Sequence, residues 1–351
     1  MNNTYTIATG SKDSTQAAAA ILDKGGNAYD AILAALFMSF VCEPLLSSPG
    51  GGGYLLAHPC DQDAKIFDFF AQTPHHKNTA KRDFYPIHGD FGTTQQEFHI
   101  GMASAATPGI PAGIFAIHHH YGSLPLIDIA SAAINKARDG MRVDKLHAEV
   151  IQILQPILNA SPQVKSLFTN ADNDLLQQGE IKANKDLADF IEKLASNPMD
   201  WFYRDTPAQN IVADMHQYHG LLKQQDFEKY RVIIRQPLES VVNDWKILTN
   251  AAPTTGGFLI VEQLKYALNH GNERLALRLI ESMVHADKLK NQQTAFQSSK
   301  GTTHMSIIDG SGNVASLTVS NGEGCGYAVP HCGFMLNNFL GEEDINTGGF
   351  F

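Results

Sequence analysis

Cysteine is scarce in this chain. Four residues, Cys42, Cys60, Cys325 and Cys332, are scattered over 351 positions, which excludes a disulfide framework. Cys42 lies in an apolar run and reads as an ordinary core residue. Cys325 and Cys332, even with His331 and His304 nearby, match no standard zinc spacing, so no metal site is expected. Positive charge is also short: 26 Lys and Arg stand against 36 Asp and Glu, a formal net charge of −10. Without a basic patch the chain is not built to grip a phosphate backbone, and no nucleic-acid partner is expected. The longest apolar stretch, Ala31 to Cys42, is flanked by Asp30 and Glu43 and falls far short of the ~20 residues a membrane span needs. The first eight residues, Met1 to Ala8, carry no basic segment leading into an apolar one, so no signal peptide or membrane partner is expected and the default location is the cytoplasm. Internal repeats and low-complexity linkers are missing too. What remains is a 43% hydrophobic, 18% charged composition, typical of a globular protein long enough to bury a sizeable core.

Helical patterning dominates the first two thirds. Ser14 and Thr15 open a small-residue helix, Gln16 to Lys24, that stops at Gly25-Gly26, where glycine tolerates the left-handed conformation of a C-cap. A second helix, Ala28 to about Val41, is apolar on nearly every side and therefore belongs between layers. Ser47-Ser48-Pro49-Gly50-Gly51-Gly52-Gly53 then leads into a strand, Tyr54 to Ala57. Four consecutive glycines permit close backbone approach. They make either a pocket-lining loop or a tight loop-to-strand turn, and no Lys-Ser/Thr follows to make a phosphate cradle. Spacing near 3.6 predicts helices over Ile110–Tyr121, Pro125–Asp139, Val143–Asn159 and Asp186–Asn197. His118, His119 and His120 end one of these, where the dipole favours imidazoles at the surface. Asp226–Ile234 and Trp245–Thr249 move toward strand patterning. Pro253-Thr254-Thr255-Gly256-Gly257 leads into a helix, Phe258–Leu268. Helices first and strands last suggest one layered α/β domain.

The chemistry concentrates near the C-terminal end. Thr303 to Ile308 and Val314 to Val319 alternate apolar and polar, and Asp309-Gly310-Ser311-Gly312-Asn313 between them is a strong hairpin signal. With a three-residue loop between Asp309 and Asn313, paired residues sum to 622. Thr302 then faces Ser320, with Cβ atoms about 4.5–5.5 Å apart. A hydroxyl is a poor nucleophile until a base takes its proton. Cleavage between Gly301 and Thr302 would create an α-amino group of pKa about 7.7–8.0 on the nucleophile's own residue. Gly301 suits such a bond because it tolerates strain and close approach. The plainer alternative is that Gly-Thr-Thr merely begins a strand, where threonine is common.

Several motifs in order along the chain point one way. Gly25-Gly26-Asn27-Ala28-Tyr29-Asp30-Ala31, Glu43-Pro44 and Gly50-Gly51-Gly52-Gly53-Tyr54 resemble the opening of the γ-glutamyltransferase family. Thr107-Pro108-Gly109, Tyr121 to Pro125, Ala133 to Gly140 and Gln225 to Tyr230 continue the match. Pro253 to Gly257 is similar to the family's Pro-Ser-Ser-Gly-Gly element. Thr302 to Asp309, with Leu336-Asn337-Asn338 downstream, resembles the start of its small subunit. The resemblance implies a four-layer αββα sandwich of the N-terminal-nucleophile hydrolase type. It implies a single domain, 1–351, cut into a large-subunit region (1–301) and the beginning of a small-subunit region (302–351) that stay together as a heterodimer. Thr302 would be both cleavage point and nucleophile, and Ser320 the second hydroxyl that holds it. The partners would be a small amide, such as glutathione or another γ-glutamyl compound, and a water or amine acceptor. No metal or organic cofactor is implied.

The match departs from the family at the substrate anchors. Where the family has an arginine, in Asp-Phe-Arg-Glu, this chain has Phe70 in Asp68-Phe69-Phe70-Ala71, and phenylalanine makes no bidentate carboxylate contact. On the amino-group side the aligned residues are Gly322 (with Asn321 one place off), Phe339 and Glu342. These replacements favour a flatter, more apolar acyl group, as in a related acylase. The chain also runs 351 − 301 = 50 residues past the expected cut. The family's small subunit continues well beyond that, including Ser-Ser and Gly-Gly pairs. The expectation is a fold lacking the C-terminal part of its sheets, so that an inactive, scaffold-like homologue is the third reading.

Overall fold

The computed structural model describes residues 4–76, 82–90, 92, 94–269, 274–292 and 301–342. The last nine residues of the expected small-subunit region, 343–351, lie outside these. At its centre is a six-stranded sheet built from β1 (Thr6–Ala8), β2 (Gly52–His58), β3 (Lys65–Phe69), β4 (Ile233–Arg235), β5 (Thr302–Ile308) and β6 (Val314–Ser320). The strand order is β1-β5-β6-β2-β3-β4 and every pairing is antiparallel.

Alternation gives the sheet two unlike faces. Thr303, Met305, Ile307, Ala315, Leu317, Val319, Leu55 and Phe67 are buried on one of them. Against it pack α2 (Ala28–Cys42) and α3 (Ile110–Tyr121). All fifteen residues of α2 are buried, because α1 (Lys12–Asp23) and α4 (Leu126–Asp139) cover its other side. That explains a helix without a polar stripe. Its start is fixed by a capping box in which Asn27 accepts from the backbone of Tyr29 and Asp30 while Asp30 accepts from Asn27. The opposite face is mixed, with Leu56, Ile66 and Ile308 among polar side chains. On it His304 bonds Thr318 at 2.7 Å and Ser306 at 3.0 Å, with Thr302 and Ser320 at its end. The described residues thus supply one six-stranded sheet with its helical layers and three two-stranded sheets.

Several expected boundaries shift. The first helix starts at Lys12, because Ser11 rather than Ser14 is the N-cap. The single helix expected over 143–159 is two, Lys145–Ile153 and Gln155–Leu158, since Pro156 has no N–H to continue the ladder. The strand character expected from Asp226 is wrong over its first residues. Gln224–Lys229 is helical, started by Asp226, whose carboxylate accepts from the Lys223 N–H at 2.8 Å, and β4 begins only at Ile233. His118 is not a surface residue: it is half-buried, with its ring bonded to the Leu124 carbonyl.

Candidate functional site

Thr302 opens β5, and its Cα partner across the ladder is Ser320. Every pair from Thr302↔Ser320 to Ile308↔Val314 sums to 622, and Asp309 accepts from Ser311 and Asn313 to close the turn. Asp309 also reaches the Ala28 N–H at 2.9 Å, tying the hairpin to the start of α2. Thr302 is exposed and Gly301 half-buried. The Ser320 hydroxyl donates to the Gly301 carbonyl at 2.9 Å and accepts from the Gly322 N–H at 3.0 Å. An N–H thus polarises the hydroxyl, which in turn polarises the carbonyl on the N-terminal side of Thr302.

The four glycines wrap the other side of β6. Gly52 and Gly53 pair with Ser320 and Val319. A Cβ on Gly51 would lie 2.2 Å from the Ser320 carbonyl oxygen, so only glycine allows this loop so near. Gly51 also accepts from the Gly109 N–H at 2.8 Å. Gly50 is held from below by Asn337, whose amide donates to the carbonyls of Gly50 and Ala106 at 2.7 and 2.9 Å while its oxygen accepts from Ala106 and Phe339. Asn338 does the same for the loop after Ser320, accepting from Glu323 and Gly324. The two asparagines share one sequence motif, but the Asn337 clamp joins segments over 200 residues apart, while the Asn338 bonds to Glu323 and Gly324 are local.

The expected substrate anchors separate into two groups. Asn321 does not join the site. It alternates away from Ser320, is fully buried and donates to the Met335 carbonyl. Gly322 and Glu342 do come together: a Cβ on Gly322 would sit 2.6 Å from a Glu342 carboxylate oxygen. Phe70 and Phe339 stack on each other with ring centroids 4.5 Å apart, and Tyr54 stacks on Phe70 at 5.6 Å. Phe339 is only 2% exposed. The neighbouring Asp68 is occupied by Arg235 at 2.8 Å, so that guanidinium does not replace a missing arginine at 70.

Glu43 is a residue whose placement the sequence left open. It ends α2, is buried, and accepts the Thr303 hydroxyl at 3.0 Å, while its second oxygen has no partner among the described residues. Burial holds this carboxyl above its ordinary range, with the Thr303 bond and His147 acting in the opposite direction. Between its unfolded and raised folded pKa the folded chain binds more proton, so this contribution favours folding at low pH and is lost as pH rises. Glu43→Gln keeps an acceptor for Thr303 and removes the charge. It is expected to raise the melting temperature by on the order of 2 °C at pH 7, with the gain vanishing at pH 4, as scanning calorimetry at the two pH values would read. Equal effects at both would refute the assignment.

Among the described residues no three His, Cys, Asp or Glu side chains group around an ion site, and the Cys325 and Cys332 thiols are both buried and pushed up to about 12 by burial. Among the same residues no helix is long and apolar enough to cross a membrane.

Comparison with known proteins places this geometry. The gamma-glutamyltranspeptidase family model matches residues 14–286 and 269–348. The chain belongs to that family. Glutathione hydrolase proenzyme of Escherichia coli K12 is 24% identical over 95% of this chain and 66% of its own length, so the chain spans about two thirds of such a relative. The fold is shared with solved structures. Helicobacter pylori gamma-glutamyltranspeptidase superposes with a TM-score of 0.70 at 23% identity, covering 81% of this chain and 82% of that one. Cephalosporin acylase from Bacillus halodurans gives 0.71 at 19% identity over 96% and 70%. The layered α/β fold expected from the sequence is therefore the fold of gamma-glutamyltranspeptidases and acylases alike.

Proposed function

We propose that this gamma-glutamyltranspeptidase family member is an amide acyltransferase and hydrolase that activates itself by cutting before Thr302. The observation that carries the reading is the Ser320 hydroxyl fixed between the Gly322 N–H and the Gly301 carbonyl. In the uncut chain the Thr302 hydroxyl attacks the Gly301 carbonyl carbon, and Ser320 donates to the oxygen as negative charge builds on it. The C–N bond breaks as the acyl group passes to the threonine oxygen, and water then hydrolyses that ester. A carboxylate remains on Gly301 and a free α-amine on Thr302. That amine takes the hydroxyl proton when Thr302 attacks an external amide, and Ser320 is released to hold the nucleophile. The acyl-enzyme passes its group to water or an amine. Residues 1–301 and the region from 302 onward would remain associated through β5, whose neighbours β1 and β6 come from either side of the cut.

The acyl specificity we assign leans away from free γ-glutamate. The half-buried Tyr54 and Phe70 stack on each other, with the buried Phe339 against Phe70, and offer area and no positive charge to a carboxylate. Glu342 stands beside Gly322 on the amino-group side. The expected result is that an aryl-substituted acyl anilide is turned over at least ~10-fold faster in kcat/KM than a γ-glutamyl anilide, a difference of about 1.4 kcal/mol. Release of the aniline measures both. Equal or better turnover of the γ-glutamyl compound would overturn the specificity while leaving the nucleophile intact.

A further inference from the structure

A concavity is lined in part by residues 325–328 and 330 of the segment that follows Ser320. Its volume is about 800 Å³, within the range of small-molecule sites, and none of Thr302, Ser320, Phe70 or Phe339 lines it. Three tyrosines, Tyr85, Tyr218 and Tyr327, supply aromatic surface, and Met102 adds an apolar floor. Two carboxylates, Asp83 and Asp214, are each fixed through one oxygen. Asp214 accepts the Tyr327 hydroxyl at 2.6 Å, and Asp83 accepts the Met102 N–H at 2.8 Å. A carboxylate has about four acceptor positions, so the remaining oxygen of each has capacity for a ligand. Its partner would be a donor carrying positive charge, because such bonds are the strong ones. Tyrosine faces attract the same kind of group.

Arg82 and His219 also line the cavity and would favour an anion. Against them stand the two oriented carboxylates and a chain whose net charge is −10, a field that draws cations. We propose that this cavity is a binding site for a small organic ammonium ion with an aromatic or branched apolar body. The ammonium group sits at Asp214 and the body lies among the tyrosines. The site is separate from the Thr302 hydroxyl and does not depend on its chemistry.

Isothermal titration with phenethylamine, 2-phenylethanol and 3-phenylpropionate tests this on the full chain. Phenethylamine is expected to bind with a dissociation constant of about 1 mM or tighter, in line with its size. The alcohol and the acid should each bind at least ~10-fold more weakly. Asp214→Asn preserves an acceptor for Tyr327 and should weaken phenethylamine ~10-fold or more, whereas Thr302→Ala should leave it unchanged. Binding of the acid or alcohol as tight as that of the amine would overturn the proposal, as would an absence of amine binding. Undiminished binding to a folded Asp214→Asn chain would do the same. The three-ligand comparison on the unaltered chain decides the matter even where a variant does not fold. Loss of amine binding in Thr302→Ala would instead place the amine at the acyl site and refute a separate pocket.

Discussion

Replacing Thr302 with alanine is expected to leave the chain in one piece. The unaltered protein should resolve on a denaturing gel into a large fragment ending at Gly301 and a small one beginning at Thr302. The reason is chemical: alanine has no oxygen to receive the acyl group from Gly301, and the adjacent Thr303 does not substitute for it. Thr303 alternates to the buried face of β5, where its hydroxyl is committed to Glu43. The expected effect on fold is small, because Thr302 is exposed and stands at the end of its strand, where surface substitutions usually cost within about 0.5 kcal/mol. Two fragments from Thr302→Ala would mean that a contaminating protease or another residue makes the cut.

The second large effect belongs to Ser320. Ser320→Ala removes the donor to the Gly301 carbonyl and leaves the Gly322 N–H without that acceptor. Loss of one donor to a developing oxyanion slows acyl chemistry by roughly 10²–10³-fold, so the half-life of the uncut chain should lengthen by about that factor. Ser320→Thr retains the hydroxyl and is expected to stay within ~10-fold of the unaltered chain, which separates the hydrogen bond from mere packing. If alanine and threonine slow cleavage equally, the bond to Gly301 is incidental. A thermal melt of each variant checks that the hairpin is still formed.

How much of this was legible in the sequence follows from the range of the forces involved. The β5–β6 register could be read by counting, because one turn with a defined number of residues fixes every pair along a hairpin. The burial of α2 could be read from its composition alone. The helix over Gln224–Lys229 was missed because its stop-and-start signal is a single side chain, Asp226, within a short segment of mixed pattern. Pro156 was present in the sequence as a breaker, and the surrounding 3.6 spacing obscured it. The Asn337 clamp and the burial of Glu43 against Thr303 join segments more than 200 residues apart, and no local pattern encodes them. Phe70 and Phe339 were singled out as lost polar anchors. That they stack on one another, with Phe339 almost wholly covered, became visible only when the fold brought residues 70 and 339 together.

Self-cleavage before Thr302 leaves a fragment whose first residue identifies the cut. The purified protein, incubated at neutral pH and separated on a denaturing gel, yields a small fragment for N-terminal sequencing. That fragment is expected to begin Thr302-Thr303-His304-Met305 with an unblocked α-amine. A fragment beginning at any other residue, or a chain that stays whole, would contradict self-cleavage before Thr302.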